Sequence, residues 1–524
     1  MRYAFNSQQM KMVEDYTIDV AGITALELME RAAAGLVAVM KTRITKSDRI
    51  LAICGPGNNG GDGVAASRLL HLEGYQIAVL LLGDQKKRSL SMKRQLEMAE
   101  NIGIVVEHRD RIPEYNILID ALFGVGLTRE ITGEYATVID MMNFNQSYIY
   151  SVDLPSGISA DTGKVLSHAV EADETITFGY QKLGMLLYPG LDYVGKVTLV
   201  DIGFSTQSEQ LLKQKICYYE SEDLIRLPKR YNYSNKGSYG KVLIIAGSNG
   251  MSGAAYLSAK AAYRSGAGLV KILTSHTNRI ILQTLLPEAL FAAYDQEMDN
   301  TIAIKNIQDA LLWASVIVIG PGIGRTELSR ELLDIVIEEA KVPFILDADA
   351  LQLLSSRICV TLNQQITDLV TEQGWLDALK RIEYLNKLLP ENTILMPHLK
   401  ELSSLLGLPV SYISNNLIDT ARQCSYNSKL IFNMKDARSL VTGGLDIYIN
   451  VTGNNGMATG GTGDVLTGIV AAFLAQGMQA YEAVCLASYI HGLAGDLAAL
   501  EKGVYSLIAS DVVDAIEKVI CRKG

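Results

Sequence analysis

The chain has 524 residues, enough for two or three domains, and 48% of them are hydrophobic, which excludes wholesale disorder. Acidic residues outnumber basic ones, 57 to 47, and the net charge of −10 argues against a general nucleic-acid binder with a basic face. Six scattered cysteines (Cys54, Cys217, Cys359, Cys424, Cys485, Cys521) contain no C-x-x-C pair, which argues against a disulfide framework or a zinc site and for a reduced, cytoplasmic setting.

The opening, MRYAFNSQQMKMVEDY, is too polar for a secretory signal, and no apolar run is expected to reach the ~18 residues of a membrane span. Residues 8–40 read as one helical stretch. A strand at 49–54 runs into a glycine loop at 55–63, then a helix at 64–73, a strand at 75–82 and a helix at 89–102. Strands at 116–120 and 148–153 each end in an acid, and two more follow at 175–178 and 197–200. Alternating strands and helices predict a parallel sheet covered on both faces, with ligands beyond the carboxyl ends of its strands.

The pattern breaks over 203–233, which is polar and tyrosine-rich, so a domain junction is expected there; the domains are expected at 1–215 and 225–524. A second α/β series starts with a strand at 241–247 and a helix at 258–265. Further strands are expected at 269–273, 316–320, 344–347 and 429–434, and the last hundred residues read as mainly helical. The long connection at 355–395 carries helix-like segments at 365–372 and 376–389 and suits a surface insertion or an oligomer contact.

In the first half, Gly55, Gly57 and Gly60 form G-x-G-x-x-G after a strand, with Asp84 at the distance of a ribose contact; alone, that pattern permits a dehydrogenase. The intervening Pro56, Asn58 and Asn59 bring more side-chain chemistry than a pyrophosphate turn requires. Asn59, Asp120 and Ser156 supply hard oxygens at strand ends, and one carboxylate with neutral oxygens suits a monovalent cation.

In the second half, the run from Asn454 to Asp464 is the densest signal. Glycines let main-chain amides approach a phosphate, and the helix expected to follow presents unpaired donors to it. Asp464 stands where a proton acceptor is useful. Being at a helix start, it is expected to have a low pKa. Glycine loops at 247–254 and 320–324, the 396–401 segment with His398, and Asp347 with Asp349 complete the site, while Lys435 can meet a phosphate as a point charge.

Residues from about 236 to 523 resemble the ADP/ATP-dependent NAD(P)H-hydrate dehydratase family, on the motifs at 454–464, 346–351 and 397–401. The resemblance implies a ribokinase-like α/β fold and a substrate hydrated across C5–C6 of the nicotinamide ring. It implies that Asp464 accepts the C6 hydroxyl proton and that Ala254, Gly322 and His398 contact the hydrate. Lys435, Asp436, Ala437, Arg438, Ser439, Asn454, Gly460, Gly461, Thr462 and Gly463 would hold the nucleotide, ADP with Mg²⁺. Asp436 stands where the family usually has glycine, adding a carboxylate near the phosphates.

Residues from about 2 to 203 resemble the NAD(P)H-hydrate epimerase family, on the motifs at 55–63, 120–127 and 153–157 and the opening helix around Leu28, Met29 and Glu30. That family implies a Rossmann-like, three-layer αβα domain that binds K⁺. Carried over, Asn58, Asn59, Gly60, Gly61, Asp62, Gly124, Val125, Gly126, Leu127, Thr128, Arg129, Glu130 and Asp153 contact the hydrate; Asn59, Asp120 and Ser156 ligate K⁺; Asp153 is the acid/base at C6. Partners are expected to be small molecules, with no nucleic acid or membrane, in a homo-oligomer. The alternatives from the residues alone are a small-molecule kinase with a dinucleotide-binding module and a non-catalytic N-terminal half.

Overall fold

The computed structural model describes residues 1–521 except 108, 296–299, 364–371 and 444–445. Two compact units emerge, one from Tyr3 to Ile216 and one from Cys217 onward that also takes Met1 and Arg2.

The N-terminal unit is built on seven parallel strands. In chain order these are β1 (Arg49–Cys54), β2 (Gln76–Leu81), β3 (Val105–Val106), β4 (Ile117–Ala121), β5 (Tyr148–Val152), β6 (Glu174–Phe178) and β7 (Lys196–Val200). In space they run β3-β2-β1-β4-β5-β6-β7. The order reverses between β1 and β4, which opens a crevice at their carboxyl ends. Side chains of β1 alternate between two cores. Ile50, Ala52 and Cys54 pack with helices α1 (Ser7–Asp19) to α4 on one side, chiefly α2 (Ala25–Met40), α3 (Asn58–Leu72) and α4 (Leu90–Asn101). Leu51 and Ile53 pack with α5 (Glu134–Phe144) on the other. Burial on both faces is what makes the strand continuously apolar, and the result is the expected three-layer αβα arrangement.

Two expectations change here. The single helix over 8–40 is two helices, because Gly22 takes a left-handed φ of 77° and the Thr24 side chain caps α2 by accepting from the Glu27 amide. The glycine segment 55–63 is not all loop, since α3 already starts at Asn58. Its glycines serve close packing: a Cβ on Gly63 would lie 2.5 Å from that of Ala121, and one on Gly60 would run into the Gly55 carbonyl.

The C-terminal unit repeats this logic with a longer sheet. Its strands are β8 (Lys241–Ile245), β9 (Leu269–Thr274), β10 (Leu290–Ala293), β11 (Val316–Ile319), β12 (Phe344–Leu346), β13 (Ile394–Leu395), β14 (Ile431–Met434), β15 (Leu440–Thr442) and β16 (Ile447–Ile449). They lie β10-β9-β8-β11-β12-β13-β14-β15-β16; the first seven are parallel and the last two antiparallel. The reversal here falls between β8 and β11. The antiparallel strands within the last hundred residues were not expected, being only three residues each.

The helix expected at 258–265 begins earlier, as α6 (Ser252–Arg264), and therefore includes Ala254. In the long connection, α7 (Asp349–Leu362) and α8 (Glu372–Leu388) are helical; the expected segment 365–372 lies outside the described residues apart from its last. Downstream come α9 (Leu399–Leu406), α10 (Thr462–Ala475) and α11 (Ala480–Lys502). Contrary to the sequence expectation, α11 is long and apolar enough to cross a membrane by length and composition, but 72% of its apolar window is buried inside the protein. A helix that is apolar all round is also what a protein core requires.

Candidate active sites

The crevice of the N-terminal unit is a cavity of about 580 Å³. Asn58, Asn59, Asp62, Gly124, Val125, Gly126, Leu127, Thr128, Arg129 and Asp153 all line it. Glu130 is exposed and does not line it, and Gly60 and Gly61 face packing partners instead, with a Cβ on Gly61 lying 2.7 Å from Met29 Cε.

Asp120 is fully buried at the end of β4. Its carboxylate accepts from Ser156 Oγ at 2.5 Å, Ser151 Oγ at 2.8 Å, the Ser156 amide at 2.8 Å and the Leu122 amide at 3.3 Å. Burial pushes its pKa up, while these hydrogen bonds pull it back. Asn59 sits against Gly124, and its buried amide nitrogen has no hydrogen-bond partner.

Asp153 follows β5 with a left-handed φ of 67°, an uncommon conformation that places its carboxylate in the cavity. Its Oδ1 accepts from Lys182 Nζ, from Thr177 Oγ1 at 3.2 Å and from the Phe178 amide at 3.2 Å. Lys182 is 1% exposed and also donates to Thr177 Oγ1 at 2.9 Å and to the Phe178 carbonyl at 3.1 Å. Lys182 and Glu14 are cavity residues that sequence reasoning missed, since neither belongs to a motif. Asp84 does not enter the cavity lining; it caps a short turn, accepting from the Lys86 amide at 2.9 Å.

In the C-terminal unit the two glycine loops meet. The Gly247 amide donates to the Pro321 carbonyl at 2.9 Å and the Ser248 amide to the Gly322 carbonyl at 2.6 Å. Gly322, with φ 60°, lies so close to Ala254 that a Cβ on it would be 3.1 Å from Ala254 Cβ. Asp347, at the end of β12, is 1% exposed. It accepts from Lys435 Nζ at 2.6 Å, Thr467 Oγ1 at 2.6 Å and the Ala348 amide at 2.8 Å. Lys435 is therefore not a free cation awaiting phosphate. It is the centre of an ion network, and its pKa is raised despite burial by Asp347, Glu401 and Asp464.

The Gly460–Asp464 segment leads into α10, and no side chain caps that helix start. Open space surrounds the missing Cβ of Gly460, whereas one on Gly463 would lie 3.4 Å from Lys435 Nζ. The first amides of α10 are thus presented without a cap at a point that also receives an ammonium. Asp464 overturns one expectation. Burial and the neighbouring Asp347 carboxylate push its pKa up to about 7, against the pull of Lys435. A carboxylate with that value is a competent base near neutrality.

His398 caps α9: Nδ1 accepts from the Lys400 and Glu401 amides at 3.1 and 3.2 Å, and the Glu401 carboxylate accepts from the His398 amide at 2.9 Å. Its ring is 51% exposed, so the cap leaves an edge for a ligand. Burial pushes Glu401 up to about 7. Asp436 and Ala437 are exposed, and the Ser439 hydroxyl closes the turn by donating to the Asp436 carbonyl at 3.2 Å; Arg438 lies half-buried in that turn. Partial desolvation pushes the Asp436 carboxyl up, which lessens the negative charge it adds there.

A family model described as NAD(P)H-hydrate dehydratase matches residues 242–369 and 376–518, and one described as YjeF-related protein N-terminus matches 25–184. A bifunctional NAD(P)H-hydrate repair enzyme of Thermofilum pendens is 31% identical over 525 residues, covering 98% of this chain and 95% of its own. The chain belongs to the bifunctional NAD(P)H-hydrate repair family. The Escherichia coli enzyme of this family is also 31% identical, over 96% of this chain and 91% of its own. An ADP/ATP-dependent NAD(P)H-hydrate dehydratase from Bacillus subtilis, co-crystallised with ATP and Mg²⁺, is 29% identical and covers 58% of this chain and 98% of its own, with a TM-score of 0.47. Membership favours repair over the kinase and dehydrogenase alternatives.

In this repair-family chain α11 braces the loop at Gly453 and Asn454, which sequence reasoning missed. Asp496 accepts from the Asn454 side chain at 2.9 Å and the Gly453 amide at 3.0 Å, so Asn454 is a brace for the loop. The signal lay in the spacing of Gly492, Gly495 and Asp496: a Cβ on either glycine would collide with the loop, at Thr452 or Met457.

Proposed function

We propose that the chain repairs hydrated NADH and NADPH in two steps: residues 1–215 interconvert the R and S hydrates at C6, and residues 225–524 dehydrate the S form with ADP, yielding AMP and phosphate. The observation that carries the second step is Asp464, raised to about 7, standing directly after an uncapped amide cluster that Lys435 approaches.

The chemistry follows from a poor leaving group. Asp464 takes the C6 hydroxyl proton as that oxygen attacks the terminal phosphorus of ADP, and the bond to the bridging oxygen of AMP breaks. The Gly460 to Gly463 amides stabilise charge on the migrating group. Phosphate then leaves C6 with the bonding pair, the ring nitrogen assists, and loss of the C5 proton restores the C5–C6 double bond. Mg²⁺ would enter on the nucleotide phosphates and neutralise their charge. Lys435, held by Asp347, keeps a positive charge beside Gly463. Gly322, Ala254 and the exposed edge of His398 offer the hydrate its surface.

Beside the N-terminal cavity, Asn59, Asp120 and Ser156 carry the donor set of a hard monovalent cation, one carboxylate with neutral oxygens: Asn59 lies against Gly124, and Ser156 Oγ joins the adjoining Phe123 to Asp120. Bound K⁺ would supply fixed positive charge for the hydrate, while Asp153 performs proton transfer at C6. We also propose a homo-oligomer in the cytoplasm, to be checked by light scattering and fractionation. The decisive experiment supplies mixed hydrates with ADP, Mg²⁺ and K⁺ and follows reduced-nicotinamide absorbance. Full recovery of both epimers is expected; no recovery from folded protein refutes the proposal.

A further inference from the structure

C6 of the hydrate bears a hydroxyl and the ring nitrogen N1. Inverting it by water loss and return requires one group to give a proton to the leaving oxygen and another to take one from the entering water. Three carboxyl groups reach the N-terminal cavity from different elements, Glu14 from α1, Asp62 from α3 and Asp153 from the end of β5. The surroundings of Asp62 and Asp153 are unequal. Asp153 is clothed in donors: Lys182 Nζ, Thr177 Oγ1 and the Phe178 amide. The Asp62 carboxyl receives no hydrogen bond from any described residue. The charged groups facing it are Asp153, Glu14 and Lys182. Burial first, then the two carboxylates, hold the Asp62 pKa well above the usual carboxylate range, which favours its protonated form. Unequal environments are how two carboxyl groups divide acid and base work.

We infer that Asp62 and Asp153 form a two-group acid–base pair at C6, each serving as acid for one epimer and as base for the other. This rests on the epimerase reading above. In one direction the C6–O bond breaks, its electron pair goes to oxygen, and that oxygen takes the Asp62 proton and leaves as water. The N1 lone pair makes the C6–N1 double bond of an iminium. Water then forms a new C6–O bond from the opposite side, the double-bond pair returns to N1, and the surplus proton goes to Asp153. The proton now on Asp153 returns to Asp62 through solvent, or serves the reverse reaction directly. Lys182 is the positioning residue that fixes the Asp153 carboxylate.

The test uses the full chain, separated R and S hydrates and ¹⁸O-labelled water. Wild type is expected to epimerise with label entering C6 at each inversion, faster than the enzyme-free exchange. Asp62→Asn is expected to lose at least about 100-fold in both directions, while dehydration of the S hydrate by the C-terminal half is unchanged. Asp62→Glu, which keeps a carboxyl, is expected to recover about tenfold over Asp62→Asn. Inversion without label uptake, near-wild-type Asp62→Asn activity, or equal loss in both variants would overturn the pair. A wild-type chain that never epimerises would instead overturn the epimerase reading beneath it.

Discussion

The two halves share a strand order around their reversal, β3-β2-β1-β4 in one and β10-β9-β8-β11 in the other, yet they recruit chemistry from different sequence distances. In the N-terminal unit Asp153 meets Lys182 only 29 residues away, and Asp120 meets Ser156 across 36. In the C-terminal site Lys435 reaches Asp347 across 88 residues and Thr467 reaches it across 120. A shared crevice geometry therefore fixes where ligands sit, whereas the reacting groups depend on which strand and helix ends the fold brings there. The N-terminal site sets bare and donor-clothed carboxyls side by side in a roomy cavity; the C-terminal site sets a carboxylate and a lysine against an uncapped helix start.

The strongest way to break this comparison is Asp464→Asn. Dehydration is expected to fall by on the order of 10²–10⁴ in kcat, with epimerisation intact; loss of both activities in folded protein would show that the sites are not separate. Next, Asp347→Asn strips the buried Lys435 of its counter-charge and is expected to cost about 3–5 kcal/mol in the C-terminal unit, read as a lowered denaturation midpoint. An unchanged midpoint would show that the network contributes no stability.

Gly60→Ala forces a Cβ into the Gly55 carbonyl and is expected to cost about 1–3 kcal/mol and to impair epimerisation alone. The pH dependence sharpens the contrast further. Asp464 must be ionised to act as a base, so dehydration is expected to climb as pH rises toward about 7 and to level off above it. A limb near the ordinary carboxylate value, about 4, would show that burial does not control this group. The smallest effect is Gly460→Ala. With open space around its Cβ, it is expected to move stability by less than about 0.5 kcal/mol, although it weakens ADP binding measured by calorimetry.

Most of the architecture was legible. Period and composition located β1, β2, β5, β8 and β9, because strands buried on both faces must be apolar throughout. Very short strands such as β13 and β15 were not legible, since two or three residues carry no period. Helix starts were misplaced where glycine obscured them: α3 and α6 begin inside segments read as loops, and only the packing of Gly60 against the Gly55 carbonyl and of Gly322 against Ala254 shows why small residues stand there.

The sites divide in the same way. The sequence by itself determined the family, both glycine-rich motifs and the acids at strand ends, because close main-chain approach to an anion demands particular small residues in unbroken order. Only the tertiary structure decided that Lys182 is buried on Asp153, that Lys435 belongs to Asp347, that α11 braces Asn454, and that Asp464 is raised to about 7. Desolvation and charge pairing depend on neighbours distant in the chain, and no local pattern encodes the dielectric around a carboxylate.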